Sequence, residues 1–322
     1  MHNIHIVWVG KDYPQENYEN FRKFTEINKN VTLNLWMLDE EAIENSKINQ
    51  VCPKVKTKCY KPLLQKYPQF IEIHDFLVDM QAYEGVSDLL RYLVLYENGG
   101  VYVDINALVS DNPVDEEIFK QDGFKIPICL NDNDGQIMTS NKIIFSDKKH
   151  PLPWQILSMI RLTFSKAKNE LEVKYKAISS QDKRNAAYHL NADLMGSACV
   201  RLIKYYHSSP ANSHIKHCFP LNLAEPFMYE AKTKDRAVDD HTAELCDDFN
   251  SFVFDLWVDF KSNHNTLEAL FESLALLDKN EKPPEISEWN PKFFTLSSEQ
   301  SSASSSSSIE QHLNDLKNAI FK

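Results

Sequence analysis

Ile4-His5-Ile6-Val7-Trp8-Val9 is a short apolar, β-branched run closed by Gly10, and it predicts a buried strand ending at the glycine. Over Pro14–Asn28, Tyr18, Phe21, Phe24 and Ile27 fall on one helical stripe. Val31–Leu38 alternates enough to predict a second strand, and Asp39 is placed to cap the acidic helical segment that follows. Strand, helix, strand, helix at this spacing predict a βαβ start and a parallel sheet. Cys52–Lys66 reads as a basic connection. A helix over Val86–Asn98 and a strand over Val101–Ile105 come next, with further strands over Phe124–Leu130 and Gln136–Phe145. From Leu152 onward helices dominate, at about 152–168, 184–206 and 265–278.

The tail differs in kind. Ser297–Ser308 holds nine serines in twelve residues, a flexible linker by composition. Ile309, Leu313, Leu316 and Ile320 then recur at helical spacing. A linker before a helix fits two situations equally, a docking helix or the start of a truncated further domain. The expected organisation is therefore a catalytic-size unit over 1–296, a linker over 297–308 and an amphipathic helix over 309–322. Within the unit, 1–150 forms the sheet-bearing core and 151–296 the helical part.

Hydrophobic residues at 43% and charged residues at 25% support a packed core. The formal net charge of −11 repels phosphate backbones and argues against nucleic acid as partner. No apolar run approaches the roughly 18 residues of a membrane span. Only seven glycines occur, and neither G-x-G-x-x-G nor the P-loop pattern is present. The six cysteines lack paired spacing, so free thiols in a reducing cytoplasm are expected. Met1-His2-Asn3-Ile4-His5 has no signal-peptide character. A protein passed by a specialised secretion machine into a host cytosol would look the same.

Three of the seven glycines fall in Gly85–Gly100, around the most informative window. Ser87 or Asp88 is expected to cap the helix there. Asp88 and Arg91, three apart, share a face of an otherwise apolar helix. Asn98-Gly99-Gly100 ends it where positive φ is needed. The strand after it carries Asp104 and Asn106, two apart and so expected on one side. Hard oxygens at the carboxyl end of a parallel strand suit Mg²⁺ or Mn²⁺ bridging to phosphates. Taken singly, each of these residues is as well explained by a cap, a helical ion pair or a turn.

Ser87-Asp88-Leu89-Leu90-Arg91-Tyr92 followed by Gly99-Gly100-Val101-Tyr102-Val103-Asp104-Ile105-Asn106 resembles the sugar-binding segment of glycosyltransferases with a GT-A fold. It is most similar to the large-clostridial-toxin glucosyltransferases and the related DxD sugar-transferase family, and the D-x-N variant looks like a Legionella toxin-like effector. The resemblance implies a GT-A-like (Rossmann-like) α/β fold, with a mixed, mainly parallel sheet, many added helices and a mostly helical C-terminal part. It implies transfer of a hexose, glucose preferred, from a UDP-sugar to a hydroxyl acceptor on a protein, with retention and Mn²⁺ or Mg²⁺. By that resemblance Val7 and Trp8 would meet the uracil base. Asp88 would accept from sugar hydroxyls, Arg91 would contact sugar and diphosphate, and Tyr102 would line the donor site. Asp104 would bind ribose and the metal sphere, with Asn106 at the direct metal ligand.

Asn106 departs from the family's Asp. A tolerated substitution, reduced metal dependence and an inactive domain that binds a membrane or protein all remain open. The family also closes a late loop over the donor, and Ser287-Glu288-Trp289 fits its S-x-W spacing. Ser287 would then stand near the metal and Trp289 near the glycosidic oxygen, with Trp257 as rival. Asn191–Gly196 is a candidate acceptor-side loop. His214, His217 and Cys218 lack a partner pair at zinc spacing. Lys54, Lys56, Lys58, Lys61 and Lys66 are a solvated face or a contact for anionic lipid, as a missing C-terminal region also could be.

Overall fold

The computed structural model describes residues 2–10, 16–108, 113–114, 116–120, 123–126, 128–130, 137–139, 141–179, 182–191 and 238–263. The chain opens β1 (His2–Val7), α1 (Glu16–Ile27), β2 (Val31–Met37), α2 (Glu40–Ser46) and α3 (Ile48–Val51). It continues β3 (Lys56–Cys59), α4 (Lys61–Lys66), α5 (Ile71–Asp79), α6 (Tyr83–Asn98) and β4 (Gly100–Val103). Short strands β5 (Phe124–Lys125), β6 (Ile128–Leu130), β7 (Ile137–Thr139) and β8 (Ile143–Ser146) precede the helices α7 (Pro151–Ala177), α8 (Lys183–Asn191) and α9 (Asp240–Asn263).

Six strands form one sheet in the order β3-β2-β1-β4-β8-β5, and β6 and β7 pair separately. β1, β2, β3 and β4 run parallel, whereas β8 is antiparallel to both β4 and β5. This is the mixed, mainly parallel α/β sheet expected. β1 lies between β2, the next strand in the chain, and β4, which follows some sixty residues of helix and edge strand. The strand order therefore reverses at β1, and the carboxyl ends of β1 and β4 meet where such sheets bind ligands.

The strands read as nearly continuous apolar runs because both faces are covered. Ile4, Ile6, Leu33, Leu35, Val101, Val103, Ile143 and Phe145 pack in one core with α1 and α2. Val7, Trp36, Tyr102 and Ile144 turn the other way, into a core built with α4 to α9. His5 is the buried polar residue of β1. Its Nδ1 accepts from Trp36 Nε1 at 3.1 Å, and its Nε2 donates to the Gly99 carbonyl at 3.0 Å, joining two strands to the end of α6. Burial, then the Lys58 charge, lower its pKa to about 3, so the ring stays neutral.

Several boundaries differ from the sequence reading. The basic stretch contains an edge strand, β3, because Lys56–Cys59 continues the register of β2. Phe124–Leu130 and Gln136–Phe145 break into four short strands. Helix α7 runs to Ala177, and α9 was not foreseen. Asp39 caps α2 as expected, accepting from Ala42 N. Cys52, Cys59 and Cys246 are free thiols. The 265–278 helix, the serine linker, the terminal helix and His214, His217 and Cys218 lie outside the described residues.

Gly99 and Gly100 both take positive φ, at 68° and 95°, as the turn from α6 into β4 requires. A Cβ on Gly100 would sit 2.8 Å from the Asn3 carbonyl oxygen of the neighbouring strand. Gly100→Ala should destabilise by about 2 kcal/mol or more, read from urea unfolding midpoints. An unchanged midpoint would mean that β1 and β4 can separate without cost.

At the same end of α6, Glu97 bonds Lys66 at 2.6 Å, Lys149 at 2.8 Å and the Tyr67 hydroxyl at 2.5 Å. Burial alone would push its carboxyl up; the bonds from Lys149, Lys66 and Tyr67 outweigh it and hold the pKa down to about 2. A carboxylate held low stabilises the fold above its unfolded value near 4.5, and that contribution is lost as pH falls towards 2. Glu97→Gln should melt lower at neutral pH, and the gap to wild type should close on acidification through that window. A gap that stays constant with pH would overturn the assignment.

Candidate active site

Helix α6 begins at Tyr83, with Ala82 as an N-cap that makes no side-chain bond. The expected cap at Ser87 or Asp88 is thus corrected: the apolar face extends a turn further back, through Val86, and places both residues inside the helix. Their side chains bond elsewhere than to the start of the helix. Ser87 Oγ lies 3.1 Å from the Tyr102 hydroxyl. Asp88 Oδ1 lies 2.5 Å from Arg91 Nη2, the i,i+3 pair expected.

Tyr102 and Asp104 are two apart on β4 and its exit, so both face α6. The Tyr102 hydroxyl donates to Asp104 Oδ1 at 2.6 Å, and the same oxygen is 3.1 Å from Arg91 Nη2. Arg91 also stacks over the Tyr102 ring at 4.6 Å. Its Nε donates to the Ser87 carbonyl at 3.4 Å and its Nη1 to the Asn141 carbonyl at 2.6 Å. Burial disfavours the guanidinium charge, but the Asp104 and Asp88 carboxylates outweigh it and raise the pKa, so Arg91 remains charged. Burial and the Asp104 charge likewise raise the Tyr102 pKa well above the phenolic range, which keeps its proton on the bond to Asp104.

The result is a graded site. The side chain of Arg91 is 4% exposed, that of Asp88 13% and that of Asp104 26%. A buried cation holds two carboxylates together beneath a surface on which Asp104 is the most open. Among the described residues no three His, Cys, Asp or Glu side chains converge as a metal cage.

Asp104 ends the strand, and Ile105–Ala107 is a 3₁₀ turn. Asp104 and Asn106 are therefore not successive residues on one strand face, as alternation had predicted. The side chain of Asn106 lies outside the described residues, as do Ser287, Trp289, Ala192–Gly196 and the side chain of Trp257. Trp8 follows β1, half-buried beside α1 and β2, with Gly10 close to its indole. Tyr102 is buried as a support beneath Asp104 and does not line an open surface. Asn141 went unnoticed in the sequence: an asparagine between two apolar runs has no signal beyond that of a turn.

A cavity of about 920 Å³ opens at the carboxyl ends of β1, β2 and β3. Val9, Gly10, Asp39, Tyr60 and Tyr83 are among its walls, with Lys47 at the rim.

Residues 14–125 match the family described as "Glycosyltransferase sugar-binding region containing DXD motif", and that segment carries α6, β4 and Asp88, Arg91 and Asp104. The site residues thus lie in a segment similar to DXD-type glycosyltransferases. Among particular proteins, the chain is 24% identical over 184 residues to "Subversion of eukaryotic traffic protein A" of Legionella pneumophila. The match covers 56% of this chain and 28% of that protein, so the chain spans little over a quarter of its relative. Solved structures similar in fold include "PaToxG Glycosyltransferase", with 16% identity, 79% of this chain and 86% of that chain covered, and a TM-score of 0.42. Another is the "UDP-bound glycosyltransferase domain from the YGT toxin", with 13% identity, 64% and 71% covered, and a TM-score of 0.39. No described helix is long and apolar enough to cross a membrane.

Proposed function

We propose that this chain transfers a hexose, glucose by preference, from a UDP-sugar to a hydroxyl on a protein, with retention of configuration. The observation that carries the reading is the pair Asp88 and Asp104, drawn together by buried Arg91 at the carboxyl end of β4 within the matched glycosyltransferase segment. The cavity at the carboxyl ends of β1, β2 and β3 supports a nucleoside in that region. Asp39 and Glu41 against Lys47 make it a poor phosphate site, while half-buried Tyr83 offers a ring and the carboxylates offer acceptors for hydroxyls. Val7 is buried on the opposite face of the sheet, so the base would lie beside Trp8 alone, with the diphosphate extending toward Asp104.

In this reading Asp88 accepts from sugar hydroxyls. Asp104, Asn106 and, from the late loop, Ser287 hold the divalent ion, and Trp289 approaches the glycosidic oxygen. Mn²⁺ or Mg²⁺, when bound, offsets charge on the departing diphosphate. The bond from the anomeric carbon to UDP breaks, and the acceptor oxygen bonds to that carbon on the same face. The acceptor's proton leaves to the departing phosphate oxygen or to water. Arg91, with Nε, Nη1 and Nη2 all bonded within the protein, acts on the donor through the two carboxylates.

Lys54, Lys56 and Lys61 are exposed and stay candidates for an anionic lipid surface. Lys66 is engaged with Glu97, and Lys58 lies over the Trp36 ring at 4.9 Å. Action in a host cytosol is proposed by analogy with the Legionella relative. The amide at Asn106 is the feature that favours an inactive binding module instead.

The test is UDP release from UDP-glucose with and without Mn²⁺. Release that depends on Mn²⁺ supports the enzyme, and none under either condition supports the binding module. Asn106→Asp is expected to strengthen the Mn²⁺ dependence; an unchanged metal response removes residue 106 from the coordination sphere.

A further inference from the structure

The turn before β8 touches every charged member of the site, although it lies outside the matched segment. The Asn141 side-chain amide donates to Asp88 Oδ1 at 3.3 Å, and its main-chain carbonyl accepts from Arg91 Nη1 at 2.6 Å. The next carbonyl, of Lys142, accepts from the Asp104 main-chain N–H at 2.7 Å. Two consecutive residues thus bind one carboxylate, its counter-ion and the backbone of the second carboxylate. They come from a strand antiparallel to β4, whereas Asp88, Arg91 and Asp104 come from α6 and β4.

We propose that Asn141 is a positioning residue that fixes the Asp88 carboxylate for the sugar moiety of the donor; this rests on the glycosyltransferase reading above. Arg91 Nη2 and the Asn141 amide both reach Asp88 Oδ1, one from the helix and one from the turn before β8. The amide of Asn141 supplies a second direction. A carboxylate that carries out recognition by hydrogen bonding needs its lone pairs fixed before the ligand arrives. The main-chain bonds of residues 141 and 142 do not depend on the side chain, so substitution at 141 removes one bond that orients Asp88 and spares the attachment of Arg91 and Asp104.

The effect should be confined to ligands that carry the sugar. For Asn141→Ala, kcat/KM for UDP-glucose should fall about tenfold, the size of one lost hydrogen bond to a charged group. The affinity for UDP alone, measured by calorimetry, should not change. Asn141→Asp, which has the same shape but puts a negative charge against Asp88, should lose at least as much. An active wild type with both variants equal to it would overturn the proposal, as would UDP affinity that falls in step with turnover. If wild type neither binds UDP nor turns over UDP-glucose, the glycosyltransferase reading fails instead. The contact is then judged by urea unfolding of N141A, D88A and the double variant: effects less than additive support the coupling, and additive effects overturn it.

Discussion

Asp104→Ala is expected to lower UDP release from UDP-glucose by about 10³-fold or more, the upper range for losing a group that stabilises charge in the transition state. The argument is one of shared dependence. Asp104 is the most open carboxylate of the site, its Oδ1 is fixed by Tyr102 and Arg91, and its backbone N–H is tied to the Lys142 carbonyl. An alanine keeps the backbone tie and removes the negative charge that faces the donor. Tyr102 retains Ser87 as a partner and Arg91 retains Asp88, so folding should suffer less than turnover. Asp104→Asn separates the charge from the shape: it can still accept from Tyr102, yet should lose most of the activity and any Mn²⁺ response. Initial rates at saturating donor check both variants. An Asp104→Ala protein that turns over at the wild-type rate would remove this residue from the donor site.

The largest loss of stability is expected at Arg91. Arg91→Met leaves two carboxylates close together, without the cation between them, and strands the Tyr102–Asp104 bond beside a like charge. Removing one member of a buried ionic group costs about 3–5 kcal/mol. Arg91→Lys should recover only part of this. An ammonium cannot reach the Ser87 and Asn141 carbonyls and both carboxylates from one planar group. Combining Arg91→Met with Asp88→Asn and Asp104→Asn should restore some stability, because the uncompensated charges are gone. Urea denaturation measures each. If Arg91→Met unfolds at the wild-type midpoint, the ion cluster is not what joins α6 to β4.

The elements that were legible are those whose signal is local. Ile4 and Ile6 against Val7, and Val101 and Val103 against Tyr102, are apolar throughout because both faces of the sheet are covered, and such runs stand out in any sequence. Gly99 and Gly100 announce their turn by being glycine. What stayed hidden depended on partners distant in the chain. β3 sits among lysines and becomes a strand only because Asn34 to Met37 offer it a register. Ser87 and Asp88 look like caps, and only the packing of Val86 and Gly85 shows that the helix has already begun. The placement of Asp88, Arg91 and Asp104 together could be expected from their spacing and from the family resemblance. Their third support, Asn141, is fifty or more residues from the α6 pair and carries no pattern of its own.

The strand order has a consequence for how this region is treated as a unit. The segment matched by the family spans residues 14–125, yet β1 precedes it and β8 follows it. Those two strands flank β4 on either side, and β1 also separates β4 from β2. Excised at its sequence boundaries, the segment would hold β2 and β4 with no strand between them and no neighbour on the far edge of β4. It is a unit of sequence similarity and not a unit of folding. The pairing of Ile4 with Val101 closes a loop of nearly a hundred residues, so the carboxylates find their final places only after the two ends of that loop have met.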